Sequence, residues 1–127
     1  MITKEEMINP ILVVSPDFSP TWHNLLSEHE KSDDLPIYVA LTELARHISH
    51  LHLNNRIDEV KAVFAVIEDW HLEGDTFVHE AVTSGLLEDL QNINIVGVGT
   101  PQALVVYLLP ETERWWGKIL NSWLKWE

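Results

Sequence analysis

The spacing of apolar residues between positions 35 and 93 is the feature that most restricts how this chain can fold. Five apolar residues recur at intervals of 4, 3, 4 and 3, namely Ile37, Leu41, Leu44, Ile48 and Leu51. This period keeps them on one face of an α-helix. The sequence therefore predicts an amphipathic helix that begins near Leu35-Pro36 and ends near residue 54, followed by a tight turn to an antiparallel neighbour.

Two further amphipathic helices, over residues 56–72 and 75–92, are predicted on either side of a turn at Glu73-Gly74-Asp75. We expect Gly74 to adopt the left-handed conformation that often follows a helix end. Asp75 is a favourable N-cap for the second of these helices. Gly85 lies in the middle of that helix, where it costs about 1 kcal/mol relative to alanine, so we expect a close helix crossing there.

The remaining elements are predicted to be helical as well. Thr3 and Glu6 form a capping box for a short first helix. Another short helix is predicted to begin at Thr100-Pro101, and it should be buried because it is nearly all apolar from Ala103 to Leu109. The last helix begins at Pro110, with an apolar face that we expect to dock on the core and that consists of Trp115, Trp116, Ile119, Leu120, Trp123 and Trp126. The fold class is therefore all-α in one domain, residues 1–127, with antiparallel helical hairpins stacked as a short irregular HEAT- or armadillo-like array or a compact bundle.

The charge balance restricts the partners. The chain has 20 acidic and 8 basic residues and a formal net charge of -12. We predict no nucleic-acid partner and no membrane partner, because phosphates and anionic membrane surfaces bind clustered cations. The absence of cysteine excludes disulfides and thiolate metal sites, and the first residues do not resemble a signal peptide. These features favour a cytoplasmic protein that binds a basic protein.

The acidic residues are concentrated around the turn at residues 73–75. No lysine or arginine occurs between Lys61 and Arg114. The predicted partner-binding surface consists of Glu68, Asp69, Glu73, Asp75, Glu80 and Glu88. The alternative is that these carboxylates only keep the protein soluble.

Several polar residues invite a chemical interpretation. His47 and His50 lie one helical turn apart and could chelate a metal, and Glu68-x-x-His71 is half of a di-metal carboxylate pattern whose second half is missing. We predict no metal, no cofactor and no catalytic residue, since no catalytic motif is present. His79 and Asp89 interrupt an apolar stripe, so we expect each to form a structural polar tie to a neighbouring element.

Four phrases spread over most of the chain resemble an uncharacterised family of small bacterial all-helical proteins, a domain of unknown function. The phrases are Leu35-Pro36-Ile37-Tyr38, Leu44-Ala45-Arg46-His47, Gly85-Leu86-Leu87-Glu88-Asp89-Leu90-Gln91-Asn92 and Leu109-Pro110-Glu111-Thr112-Glu113-Arg114-Trp115-Trp116. The resemblance implies an all-helical fold and a bacterial cytosolic setting, and it carries no catalytic residue. Such relatives are similar in character to immunity proteins that accompany secreted bacterial toxins.

The leading hypothesis is a non-enzymatic immunity protein that neutralises a basic bacterial toxin, such as a nuclease, by occlusion. One alternative is a metal-dependent enzyme that uses the region of His47 and His50. Another is a homo-oligomeric structural module with its surplus tryptophans in a self-interface. The oligomeric state itself is left open.

Overall fold

The structure is a computed structural model that describes residues 1–124, with side chains described for residues 1–122. It confirms the all-α prediction, and no β-strand occurs in the described range. The helices are α1 Asn9–Val14, α2 Ser19–Glu28, α3 Ile37–Leu53, α4 Ile57–Glu73, α5 Thr76–Glu80, α6 Glu88–Gln91, α7 Ile93–Val96, α8 Thr100–Leu104 and α9 Pro110–Leu124. Short 3-10 turns occupy Pro16–Phe18 and Val105–Tyr107, and a π-helical segment, Ala81–Leu87, joins α5 to α6.

Helices α3 and α4 form the central hairpin. Three residues connect them, and Asn55 at the middle of this turn has a φ of 59°. The apolar stripe predicted for α3 is buried, with Leu51 the most exposed member at 3%. One hydrophobic cluster extends from Met7 to Ile119. No helix within residues 1–124 is long and apolar enough to cross a membrane.

The helix that runs through α5, the π segment and α6 packs across α3. At the crossing, a Cβ atom on Gly85 would lie 3.2 Å from the Tyr38 ring. The expected close approach at Gly85 is therefore confirmed. The π segment was not predicted, because its apolar residues follow an ordinary helical pattern.

The turn between α4 and α5 differs from the prediction at Gly74. Its φ of -69° and ψ of 145° are extended rather than left-handed. A Cβ atom there would overlap the Trp70 carbonyl oxygen and approach Val78 to 2.7 Å, so glycine is required for space. Ile2 pairs with both sides of this turn, donating its N–H to the Glu73 carbonyl at 2.7 Å and accepting from the Asp75 N–H at 2.9 Å.

The segment before the last helix also differs from the prediction. Helix α8 begins at Thr100 as predicted, but it ends at Leu104. The following 3-10 turn leaves Val105 43% and Val106 79% exposed, so the expected burial of the apolar part, residues 103–109, is wrong. Helix α9 begins at Pro110 as predicted. Its face is only partly docked. Trp116 and Ile119 are buried, whereas Leu120 is 46% exposed. The predicted contributions of the Trp123 side chain and of Trp126 lie outside the described residues.

Candidate functional site

Four of the six predicted partner-binding acids surround the turn between α4 and α5. Asp69 and Glu73 are exposed one turn apart on α4. Asp75 and Glu80 line a shallow depression of about 370 Å³ beside them. The Asp75 carboxylate also accepts a hydrogen bond from the Val78 N–H at 2.9 Å, which confirms it as the N-cap of α5. We refer to Asp69, Glu73, Asp75 and Glu80 as the acidic corner.

The described cations make their ion pairs elsewhere. Lys4 pairs with Asp34, Arg46 with Glu43, Arg56 with Asp17 and Glu59, and Arg114 with Glu111. None of the ion pairs among residues 1–122 involves the acidic corner. Its carboxylates therefore present a negative potential that the rest of the described chain does not neutralise.

Glu68 does not belong to the exposed acidic surface that the sequence predicts. It is only 9% exposed, because the first turn of α9 packs over this part of α4. Its carboxylate accepts hydrogen bonds from the N–H groups of Glu111 and Thr112 at 3.0 and 2.8 Å and from the Thr112 hydroxyl at 2.9 Å. Glu68 is thus an N-terminal cap for α9 supplied by another helix. Burial opposes its ionisation, but these hydrogen bonds outweigh burial and lower the pKa of Glu68.

Glu88 and Asp89 lie in α6, which follows α5 and its last residue, Glu80, after the π-helical segment. Glu88 is exposed, although the surrounding chain removes some water from its carboxyl group. This desolvation, and then the charge of the neighbouring Asp89, raise the pKa of Glu88. Asp89 is half-buried and accepts a hydrogen bond from the Thr42 hydroxyl at 2.7 Å, which links α6 to α3. Burial raises the pKa of Asp89, and the Thr42 hydrogen bond and Arg46 oppose that rise.

His71 connects α4, α9 and the π segment through a chain of hydrogen bonds. The Thr112 hydroxyl donates its one proton to Glu68, so it must accept from Nδ1 of His71, which lies 2.9 Å away. Nε2 of His71 is then the unprotonated nitrogen, and it accepts from the Thr83 hydroxyl at 3.3 Å. Burial, reinforced by nearby His79, lowers the pKa of His71 to about 4. His71 is therefore a neutral structural histidine at pH 7.

His79 makes aromatic contacts in the same region. Its ring centroid lies 5.4 Å from that of His71 and 4.7 Å from that of Trp115, both in edge-to-face geometry. Lys118 lies 4.2 Å from the centroid of the Trp115 ring, a cation–π distance. His79 therefore contacts α4 through His71 and α9 through Trp115 by ring packing.

Ser15, His47 and Glu59 form a polar cluster that the sequence did not predict. The Ser15 hydroxyl lies 2.7 Å from Nε2 of His47 and 2.5 Å from Oε2 of Glu59. Its single proton is donated to the carboxylate, so Nε2 of His47 carries a proton and donates to Ser15. Ser15 is also 0% exposed. This order is the reverse of a nucleophile activated by a histidine base, and it joins the N-terminal segment to α3 and α4.

No spacing rule could have revealed this cluster, because its members come from three separate segments.

His47 and His50 line one depression with Asp17 and Arg56. Burial lowers the pKa of His47, against the raising effect of Glu59 and Asp17. Across the part of the chain that the structure describes, no three His, Asp or Glu side chains lie close enough together to hold a metal ion.

Residues 8–123 match a family described as a domain of unknown function, DUF7674. The chain belongs to the DUF7674 family. The match covers the acidic corner and the contacts that Glu68 and His71 make with α9. It confirms membership of an uncharacterised family and attaches no activity to it. No curated protein and no solved structure gives a significant match.

Proposed function

We propose that this DUF7674 protein is a non-enzymatic binding module whose acidic corner docks on a basic protein. The observation that carries the proposal is the grouping of four carboxylates, none in an ion pair with a described cation, around the turn between α4 and α5. Ile2 holds this turn from both sides. Asp75 is fixed further by its own N-cap hydrogen bond. The backbone of the turn and the Asp75 side chain are therefore ordered before binding, which lowers the entropy cost of docking.

The partner class follows from the charge. An overall charge of -12 and an exposed anionic corner accelerate encounter with a cationic protein and disfavour acidic competitors. A bacterial immunity protein that occludes a basic toxin, such as a nuclease, combines these requirements. Such a protein acts in the cytoplasm and has no need of a cofactor. Glu68 is excluded from the binding surface, and Glu88 is an outlying member of it.

The experiment co-expresses the chain with the protein encoded by its neighbouring gene and measures growth and co-purification. Wild-type protein should protect the cells and co-purify with that neighbour in a one-to-one ratio. The triple variant Asp69→Lys, Glu73→Lys, Glu80→Lys should lose protection.

A matched control reverses three exposed acids elsewhere, Glu28→Lys, Glu30→Lys and Asp33→Lys. This control should protect the cells as the wild type does, because its charge reversals lie outside the acidic corner. Its net charge changes by the same amount as that of the triple variant. If both variants protect equally, or if the neighbouring protein does not bind, the proposal is rejected.

A further inference from the structure

A second surface lies outside the acidic corner, and the described residues that line it are mostly apolar and include no charged side chain. A groove of about 420 Å³ lies between the α7–α8 region and α9, and its lining includes Ile93, Val105, Trp116 and Leu120. Three of these four side chains are substantially exposed, at 52% for Ile93, 43% for Val105 and 46% for Leu120. Exposed apolar residues that share one groove are typical of an interaction site.

Val98 projects at the rim of this groove. It is 88% exposed and stands between Gly97 and Gly99, whose φ angles are 95° and 87°. These left-handed conformations, which glycine adopts without steric cost, hold the loop tip outward. The same face therefore carries both an apolar projection and an apolar depression. A surface with both features is suited to pair with a second copy of itself.

The charge distribution also favours a second copy of the chain as the partner at this face. Residues 90–110 contain no Asp, Glu, Lys or Arg, in a chain whose net charge is -12. A basic partner is attracted to carboxylates and gains nothing from this neutral face. Two identical acidic chains repel each other through most surfaces, but they can approach through a face without charge.

We propose that this face joins two copies of the chain in an isologous dimer, with Val98 of each copy in the groove of the other. The contact uses residues outside the acidic corner and does not depend on the proposed function. Twofold symmetry requires this contact to occur twice, so one Val98 side chain from each copy leaves water when the dimer forms.

Sedimentation velocity of the purified full chain, from micromolar to hundreds of micromolar, tests the proposal. The wild type should shift from 14.6 kDa toward twice that mass as concentration rises. Val98→Glu should weaken the dimer by about tenfold or more, because it places a charge in an apolar contact. Val13→Glu is the matched control, since Val13 is 78% exposed on α1, and it should dimerise like the wild type. A monomer at all concentrations, or equal effects of the two substitutions, overturns the proposal.

A cross-linking experiment maps the contact directly, because the chain has no cysteine of its own. Val98→Cys protein mixed with Leu120→Cys protein should form a mixed disulfide under mild oxidation, whereas Val13→Cys mixed with Leu120→Cys should not.

Flotation with neutral phosphatidylcholine vesicles tests whether the face binds a membrane instead of a second copy. A monomer that binds these vesicles through Val98 would show that the face meets a membrane, and the dimer would be refuted.

Discussion

Replacing Glu68 by alanine tests the unexpected position of this residue in the structure. The substitution removes the carboxylate that accepts from the N–H groups of Glu111 and Thr112 and from the Thr112 hydroxyl. Thr112 is 0% exposed, so water cannot replace the lost acceptor without opening the contact between α4 and α9. The change should therefore destabilise the docking of α9.

The magnitude follows from the groups left without partners. Losing a helix N-cap costs about 0.5–2 kcal/mol, and a buried donor left unsatisfied costs about 1–3 kcal/mol. We expect Glu68→Ala to lower the free energy of unfolding by about 3 kcal/mol, a large part of the stability of a domain this size. Glu68→Gln keeps one acceptor oxygen but turns an amide N–H₂ toward one backbone donor. It should cost about half as much.

Urea denaturation followed by tryptophan fluorescence measures the effect. The urea concentration at the midpoint of unfolding should fall. The dependence of the unfolding free energy on urea concentration should change little, because the native fold is retained. Asp69→Ala is the control, since Asp69 is the exposed neighbour of Glu68, and it should change stability by less than about 0.5 kcal/mol. Equal stability of the two alanine variants would show that Glu68 does not cap α9.

Three further predictions concern His71, Gly85 and Ser15. The pKa of His71 falls from 6.5 to about 4 on folding. The contribution of neutral His71 to the free energy of unfolding should therefore be fully present above pH 6.5. It should be lost as the pH falls toward 4, with a total loss of up to about 3 kcal/mol. His71→Gln should remove this component in denaturation curves measured at successive pH values, and parallel curves for the two proteins would contradict the assignment. In a Tyr38→Ala background, Gly85→Ala should stabilise the helix by about 1 kcal/mol. In the wild-type background the gain should be clearly smaller, because the new Cβ meets the Tyr38 ring. A double-mutant cycle that shows no coupling between the two positions would refute the close crossing. Ser15→Ala should cost about 1–3 kcal/mol in thermal or urea unfolding, and a neutral result would argue against the buried bridge between His47 and Glu59.

Local periodicity was sufficient for the central helices. The apolar stripe of α3 and the cap at Asp75 depend on residues three or four positions apart, so they are visible in the sequence. Gly74 was placed correctly at a turn, but the reason was wrong. Its lack of a side chain makes room for Trp70 and Val78 rather than permitting a positive φ.

The errors concern contacts between distant segments. Glu68 lies on the polar side of α4, and nothing in its spacing indicates that α9 begins above it. Val105 and Val106 are as apolar as core residues, but a 3-10 turn exposes them. Four members of the predicted acidic surface do lie around one turn, because that grouping depends mainly on the short connection between α4 and α5.

The measurement that tests the central claim most directly is the rate of association with the purified neighbouring-gene product, followed by stopped-flow fluorescence at increasing salt. Wild-type association should slow steeply with ionic strength. Reversal of Asp69, Glu73 and Glu80 to lysine should slow it by about tenfold or more at low salt and flatten the salt dependence, as expected for electrostatic steering. Reversal of Glu28, Glu30 and Asp33 should have a much smaller effect. If the two sets of reversals slow association equally, the acidic corner is not the docking surface.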